Sequence, residues 1–586
     1  MRALSYFALS TLMHLSSFLI PPAAADADGT IVWTPDVANT GGGYVRVIQL
    51  QHAGDANGKL LATWEHWYTK VDDKPTNGTA SSYIIQESTD SGATWDTLAT
   101  ITDPQTDPDH PAPSYFYQPF FFEFPQQLGK YPAGTLLLIG NLSNGNVTDF
   151  FSWRSTNHGK TWESLGKWES GQLYTPGRIW EPFLYLDSAG KLVAMYSSQQ
   201  DWHQHMQKLV QVISEDGGDT WGNATEVAVG EAQNDRPGMA TVARMDNGEF
   251  LLSFEWCDEN RPHDPCPVHV KTSPDGSTWD STDPGTVLVT PDGVQATGSP
   301  YTIWDSAGKQ LILSSKAHRW NSDLGLYTPL NQRIVLVNTD HGNGDWVWAT
   351  SPWTVPNSTD ICGANYSPDL LALPDGTTLY TTEASIDATN SKSHCEPRTG
   401  AARIAPLPFT SNFSSTGQAG WIDFGGDWSI SGDTYEFSAT DSATIALTGS
   451  SGWTDYEVSA NVTITSDSGV VGLVARASAF RSAPNSFTRY TAAIDSNRGN
   501  VALYRVTGEG ARLLHSQAHD GGIHVNTFYH LSLAVQSTNI TVTLSEDGRS
   551  TTTFSSTDGG LKSGAPGLYG SYGRGGFQDV QISSLT

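Results

Sequence analysis

The chain has 586 residues, enough for two or more domains with their own cores. Its formal charge of −29, from 61 acidic and 32 basic residues with no basic patch, argues against nucleic acid or an anionic membrane surface as partner. The four cysteines contain no CxxC spacing, and no phosphate loop or Ser/His/Asp arrangement stands out, so no metal and no cofactor are expected.

At the N-terminus one basic residue, Arg2, precedes an apolar run from Ala3 to Ile20, then Pro21-Pro22 and Ala23-Ala24-Ala25 before Asp26. This pattern predicts a secretory signal peptide over 1–25 and an extracellular protein. No later segment is apolar for the length of a membrane helix. An oxidising destination lets cysteines pair; of the three connectivities, the two local ones, Cys257 with Cys266 and Cys362 with Cys395, are favoured. Asn-x-Ser/Thr sites at Asn77, Asn141, Asn146, Asn223, Asn357, Asn365, Asn412, Asn461 and Asn539 suit a secreted glycoprotein.

From residue 30 onward two repeats run out of phase. Six segments alternate apolar and polar residues about a glycine turn: Tyr44 to His66, Pro119 to Asn141, Glu181 to Ser198, Met239 to Trp256, Ser299 to Lys316 and Tyr366 to Glu383. Each reads as a hairpin. Between them stand Ser88 to Trp95, Ser155 to Trp162, Ser214 to Trp221 and Ser273 to Trp279, all close to Ser-x-Asp/Asn-x-Gly-x-Thr-Trp, with a degenerate copy from Asn338 to Trp346. A hairpin cannot bury both of its faces, whereas four-stranded units packed radially can, so 30–408 is predicted to be a six-bladed β-propeller. The Trp motifs resemble the Asp boxes of sialidase-like propellers, which implies a turn between the third and fourth strands of each blade. Their chemistry suits a structural turn, with Asp or Asn binding backbone, Gly at positive φ and Trp plugging the gap.

A Ser/Thr/Gly-rich stretch at 409–420 reads as a linker, and 421–586 as a β-sandwich of short alternating strands, making the whole chain all-β. The sandwich resembles the laminin-G-like or concanavalin-like modules that accompany secreted glycosidases, which implies carbohydrate binding. Trp453, Tyr504 and Tyr569 are its candidate stacking residues.

In each hairpin the start of the first strand and the end of the second share one edge, opposite the Trp-motif turns. That edge collects Arg46, Gln118, Glu181, Arg236, Tyr301 and Tyr366 from first strands, and Glu65, His66, Asn141, Gln199, Glu255, Trp256, Lys316, His318 and Glu383 from second strands. Glu181, in Trp180-Glu181-Pro182-Phe183, and Glu255, in Ser253-Phe254-Glu255-Trp256, are charges set in apolar strands on adjacent units. A buried carboxylate is costly unless it is paired or functional, and two carboxylates flanking a sugar are what glycoside hydrolysis requires. Glu65 and Glu383 are weaker candidates. Tyr44-Val45-Arg46-Val47-Ile48, Trp180-Glu181-Pro182, Phe254-Glu255 and Asn365-Tyr366-Ser367-Pro368-Asp369-Leu370, set between Asp boxes, resemble the fungal exo-arabinanases of glycoside hydrolase family 93. The resemblance implies a secreted, retaining, exo-acting hydrolase that releases arabinobiose from linear α-1,5-L-arabinan of the plant cell wall. It implies Glu255 as nucleophile, Glu181 as general acid/base, and Tyr366 as a hydrogen-bond donor beside the nucleophile. Arg46, His66, Arg178, Trp256, Tyr301 and Lys316 are then candidates for substrate binding, and a monomer is expected. A retaining pair stands about 5 to 5.5 Å apart, and Glu181 needs a raised pKa. Asn365 is expected to carry no glycan, which would block the site. Two rival readings stay open: a sialidase, with Arg46, Arg236 and Arg319 as its arginine triad, and a non-catalytic sugar-binding propeller.

Overall fold

Apart from one short 3-10 turn at Gly54–Ala56, every regular element among the described residues of the computed structural model is a strand. The structure describes residues 29–585 except 36–39, 69–81, 103–114, 144–146, 173–176, 259–264, 358–362, 387–393, 415–416, 440–442, 480–486 and 547–550. The expected signal peptide and Cys362 lie outside the described residues.

The six expected hairpins are the first two strands of six antiparallel units. Unit one is Thr40–Gln49, Leu60–Tyr68, Ser82–Ser88 and Asp96–Thr102; units two, three and four begin at Tyr115–Glu123, Ile179–Leu186 and Asp235–Arg244, and unit five at Tyr301–Asp305. Unit six is Asp369–Ala372, Thr378–Ile386 and His394–Ala402, and the N-terminal strand Thr30–Ile31 completes it by pairing with His394–Ala402. A single parallel bridge, Gly41 to Cys395, joins units six and one. First strands touch in cyclic order, one to two and onward to six, and six to one. Inner strands such as Leu136–Ser143 and Leu192–Ser198 are buried along their whole length. Each is covered on both faces by neighbouring units, which is why the sequence there is a near-continuous apolar run.

The Trp motifs form the turns between third and fourth strands. In the first, the Ser88 hydroxyl accepts the Gly92 N–H at 2.9 Å, Asp90 accepts the Thr94 N–H at 2.9 Å, and the Trp95 indole donates to the Gly92 carbonyl at 3.1 Å. Gly92 sits at φ 91°, where a side chain would be strained. The serine contact recurs at Ser155, Ser214 and Ser273, and in the degenerate copy the Asn338 side chain accepts the Gly342 N–H at 2.8 Å.

The C-terminal residues build two sheets around one core. Tyr456–Ile464, Phe528–Gln536 and Gly573–Ser584 lie at the heart of one; Val470–Ala479, Phe487–Asp495 and Ala565–Ser571 at the heart of the other. Their alternate residues, among them Val458, Val462, Leu473, Ala492 and Leu531, interlock in the shared core. The stretch expected to be a linker contains the strand Phe409–Ser411, which pairs with Gly573–Ser584. A second apolar cluster runs unbroken from Leu336, Trp346 and Trp348 of unit five into Ile422, Phe424, Leu447 and Phe487 of the module. Trp348 exchanges backbone and side-chain hydrogen bonds with Ser451, and its indole donates to Asp292 at 2.9 Å.

Trp348 is fully buried in that junction. Trp348→Ala is expected to lower unfolding free energy by about 3–5 kcal/mol in denaturant titration.

Candidate active site

The six first strands share a distortion that no glycine marks. Tyr44, Gln118, Glu181, Met239, Ser299 and Asn365 occupy equivalent places at or just before those strands, all with φ between 37° and 63°. In units one to four the strand register breaks at the same points, as between Trp180 and Phe183 and between Gly238 and Thr241. These are β-bulges, which end regular pairing and re-aim side chains. Four of the N–H groups at these positions point to side chains of the preceding unit, while that of Asn365 donates to the Glu383 carbonyl of its own unit. Gln118 N–H donates to Glu65 Oε2 at 3.1 Å, Glu181 N–H to Gln118 Oε1 at 2.9 Å, Met239 N–H to Glu181 Oε2 at 3.1 Å, and Ser299 N–H to Glu255 Oε2 at 2.8 Å.

Glu181 and Glu255 meet across the junction of units three and four. Gly238 is the cross-strand partner of Glu255, and a Cβ placed on it would stand 3.5 Å from Glu181 Oε2. Glu181 Oε2 also accepts the Ser197 hydroxyl at 2.6 Å. Burial, and then the charge of Glu255, push the Glu181 pKa up to about 7. Burial raises Glu255 as well, but the Ser299 N–H, Lys316 and Arg236 all favour its charged form. The Ser197 hydroxyl, the Met239 N–H and Arg236 favour ionised Glu181 in turn, so the pair is made asymmetric by Lys316, which acts on Glu255, and by the charge of Glu255, which opposes ionisation of Glu181.

Tyr366 lies against this pair. Burial pushes its phenol well above the usual range, followed by the charges of Glu181, Glu255 and Glu65. Lys316 Nζ stands 4.8 Å from its ring centroid. Arg46 is 5% exposed, lies over the Tyr44 and Tyr301 rings at 4.0 and 5.2 Å, and donates to the Ser367 hydroxyl at 2.9 Å. Glu65 and Glu383, weaker on sequence, are buried at 6% and 0% exposure. Glu383 Oε1 accepts the Tyr366 N–H at 2.5 Å.

The remaining candidates are spread more widely. His66 meets Trp33 edge-on at 5.4 Å, Trp256 packs against Phe254 and His269, and Arg178 is exposed at the start of unit three. Arg319 of the proposed triad lies over the Tyr327 ring and donates to the Leu324 carbonyl, so nothing draws it to Arg46 or Arg236. Asn365 is wholly buried, its amide donating to the Ser315 and Lys316 carbonyls and accepting from the Tyr380 hydroxyl, an arrangement incompatible with a glycan. Sequence reasoning placed Gln118 on this edge without a role, and missed Ser197 and Asp369. Asp369, buried and holding the Val47 N–H at 2.8 Å, carried the same signal as Glu181, a charge in an apolar strand. Cys257 and Cys266 form the expected disulfide beside Glu255, which leaves no thiolate there to hold a metal. Cys395 is disulfide-bonded too, its expected partner being outside the described residues.

Burial, as the largest cause, also raises Glu383 and Asp369 to about 7. Between the ordinary carboxyl range and pH 7 the folded state then binds more protons than the unfolded one, so this contribution is present at low pH and lost as pH rises through 7. The thermal midpoint is expected to fall from pH 5 to pH 8, and Glu383→Gln to flatten that fall, by at most about 3 kcal/mol in unfolding free energy.

No protein-family model matches the chain, and no curated protein matches it by sequence. Among solved structures it is similar to an α-L-arabinanase of Penicillium chrysogenum complexed with arabinobiose, at 25% identity and TM-score 0.52, over 64% of this chain and 97% of that one. It is also similar to the α-L-arabinofuranosidase of Fusarium graminearum bound to an iminosugar inhibitor, at 24% identity and TM-score 0.52, over 65% and 98%. The same family 93 enzyme with arabinobiose gives 24% identity and TM-score 0.52, over 64% and 96%. Over about two-thirds of its length the chain thus shares the fold of arabinan-degrading family 93 glycoside hydrolases.

Proposed function

We propose that the six units are the blades of a six-bladed β-propeller, and that this chain is a secreted, retaining, exo-acting glycoside hydrolase of the family 93 kind, releasing arabinobiose from linear α-1,5-L-arabinan. The observation that carries the reading is the asymmetric carboxyl pair at one end of the ring of bulges. A glycoside hydrolase needs one carboxyl protonated and one ionised at working pH, and the surroundings of Glu181 and Glu255 divide the roles in that way. The likeness of fold to arabinan-degrading enzymes supports the choice of substrate.

In this mechanism Glu181 protonates the glycosidic oxygen as the bond to the anomeric carbon breaks. Glu255 attacks that carbon from the opposite face and forms a glycosyl ester. Glu181, now a carboxylate, takes a proton from water, which hydrolyses the ester and restores both groups. Lys316 favours ionised Glu255, and Tyr366, under the Lys316 ammonium, feels the charges of both carboxylates; Arg46 lies over the Tyr44 and Tyr301 rings. Those side chains, with His66, Trp256 and Arg178, form the binding surface for arabinan chains. The C-terminal module, 421–586 with the short strand Phe409–Ser411, is assigned to carbohydrate binding, and the protein acts as a monomer.

Linear arabinan incubated with the protein should yield arabinobiose, first in the anomeric form of the substrate by NMR; an inverted first product would remove the nucleophile role, and free sialic acid from a sialoside would overturn the substrate. Glu181→Gln and Glu255→Ala should each lower kcat by at least about a thousandfold in protein that remains folded by circular dichroism. The alkaline limb of the kcat/KM profile should fall near pH 7. Since the Ser197 hydroxyl favours ionised Glu181, Ser197→Ala should move that limb upward by roughly 0.5–1 pH unit.

A further inference from the structure

The second sheet of the C-terminal module has two unlike faces. On Phe487–Asp495, Tyr490, Ala492 and Ile494 enter the shared core, as do Val501 and Leu503 on the neighbouring strand Asn500–Thr507. The alternate residues face the other way and line a cleft of about 450 Å³. Its floor is small, Ala493 pairing with Ala502, and Tyr504 pairs with Thr491 beside it. Tyr569 forms a second aromatic wall, and Tyr572, 66% exposed, stands at the rim.

Three buried polar atoms on this one lining have no hydrogen-bond partner: Arg489 Nε, Thr491 Oγ1 and Asn500 Oδ1. Thr491 is only 3% exposed. A buried polar group without a partner costs about 1–3 kcal/mol, so three in one cleft point to a ligand that supplies the partners. Arg489 narrows the chemistry. Its Nη1 donates to the Phe487 carbonyl at 3.0 Å and its guanidinium lies 5.6 Å from the Tyr569 ring centroid, yet it forms no ion pair with any described carboxylate. Asp495 is the one acidic residue among the described residues of the lining. It lies six residues along the same strand, roughly 20 Å away, and is held by Arg498 and by the N–H groups of Asn497 and Arg498. Among the described residues, two arginines stand against one aspartate on this lining, on a chain of charge −29.

A guanidinium presents a planar fork of donors suited to a carboxylate, hydroxyl and amide groups suit sugar hydroxyls, and tyrosine rings suit the apolar face of a sugar. We propose that this cleft is a binding site for a carboxylate-bearing sugar, a uronic acid residue of a saccharide chain. Arg489 pairs with its carboxylate, Thr491 and Asn500 meet its hydroxyls, and Tyr504 and Tyr569 cover its ring. The site is firmly tied to the rest of the molecule: Phe487, two residues before Arg489, belongs to the apolar cluster that joins the module to unit five. The proposal does not rest on the arabinan reading, because it is tested by binding and concerns no catalytic residue.

The test is calorimetric titration of the full chain with trigalacturonate, with its methyl ester and with arabinotriose, at about 150 mM salt, where the Debye length is about 8 Å and the overall negative charge is largely screened. Trigalacturonate should bind at least about tenfold more tightly than the ester or the neutral trisaccharide. Arg489→Gln and Tyr504→Ala should each weaken it at least about tenfold at an unchanged thermal midpoint. Equal binding of acid and ester, absence of trigalacturonate binding at millimolar concentration, or full binding by Arg489→Gln would overturn the proposal. Should Arg489→Gln fail to fold, the acid-to-ester ratio on the unaltered protein, together with Tyr504→Ala, still decides it.

Discussion

Carboxylates held inside apolar strands are the constraint around which this molecule is organised. Glu65, Glu181, Glu255, Glu383 and Asp369 all sit where the six units converge, and an unpartnered carboxylate there would be strongly disfavoured. The bulges supply the partners. At Gln118, Glu181, Met239 and Ser299 the backbone passes through positive φ and points an N–H at a carboxyl or amide of the preceding unit. Strained residues at the mouth and buried acids are thus two halves of one device: the strain costs of order 1–3 kcal/mol per site and is offset by hydrogen bonds that the acids require.

The same device links neighbouring units chemically. Met239 of unit four binds the carboxyl of Glu181 in unit three, while Gly238 beside it faces Glu255 across the strand pair. A glycine is needed there because a side chain would crowd Ser197 and Gln207 and approach the Glu181 carboxyl. The positions of the two acids are therefore set by backbone geometry, and their different protonation by which cations and donors reach each of them.

The C-terminal module is bound to the units by packing of the kind that fills a domain core. An apolar cluster continuous across the junction, with Trp348 bonded on both sides, leaves little freedom for one part to move against the other. Trp453, a stacking candidate on sequence, packs instead against Tyr456 of the module core, whereas Tyr504 and Tyr569 do line a cleft. Alternation along a strand cannot distinguish these outcomes, since the residue type is the same and only the covering layer differs.

By itself the sequence determined the repeating framework. Hairpins such as Glu181 to Ser198, the Trp-motif turns and the short alternating strands of the sandwich were legible because period-two alternation and turn chemistry are local properties of the chain. Glu181 and Glu255 were legible for a related reason, each being a charge in an apolar run. The tertiary structure alone decided what those acids touch. Ser197, Met239 and Ser299 carry no local sign of their roles, because each acts on a residue of another strand or unit, and left-handed residues at Tyr, Gln, Glu, Met, Ser and Asn have no glycine to announce them. Contacts between units far apart in sequence arise only when the ring closes, and the protonation of the carboxyl pair follows from those contacts.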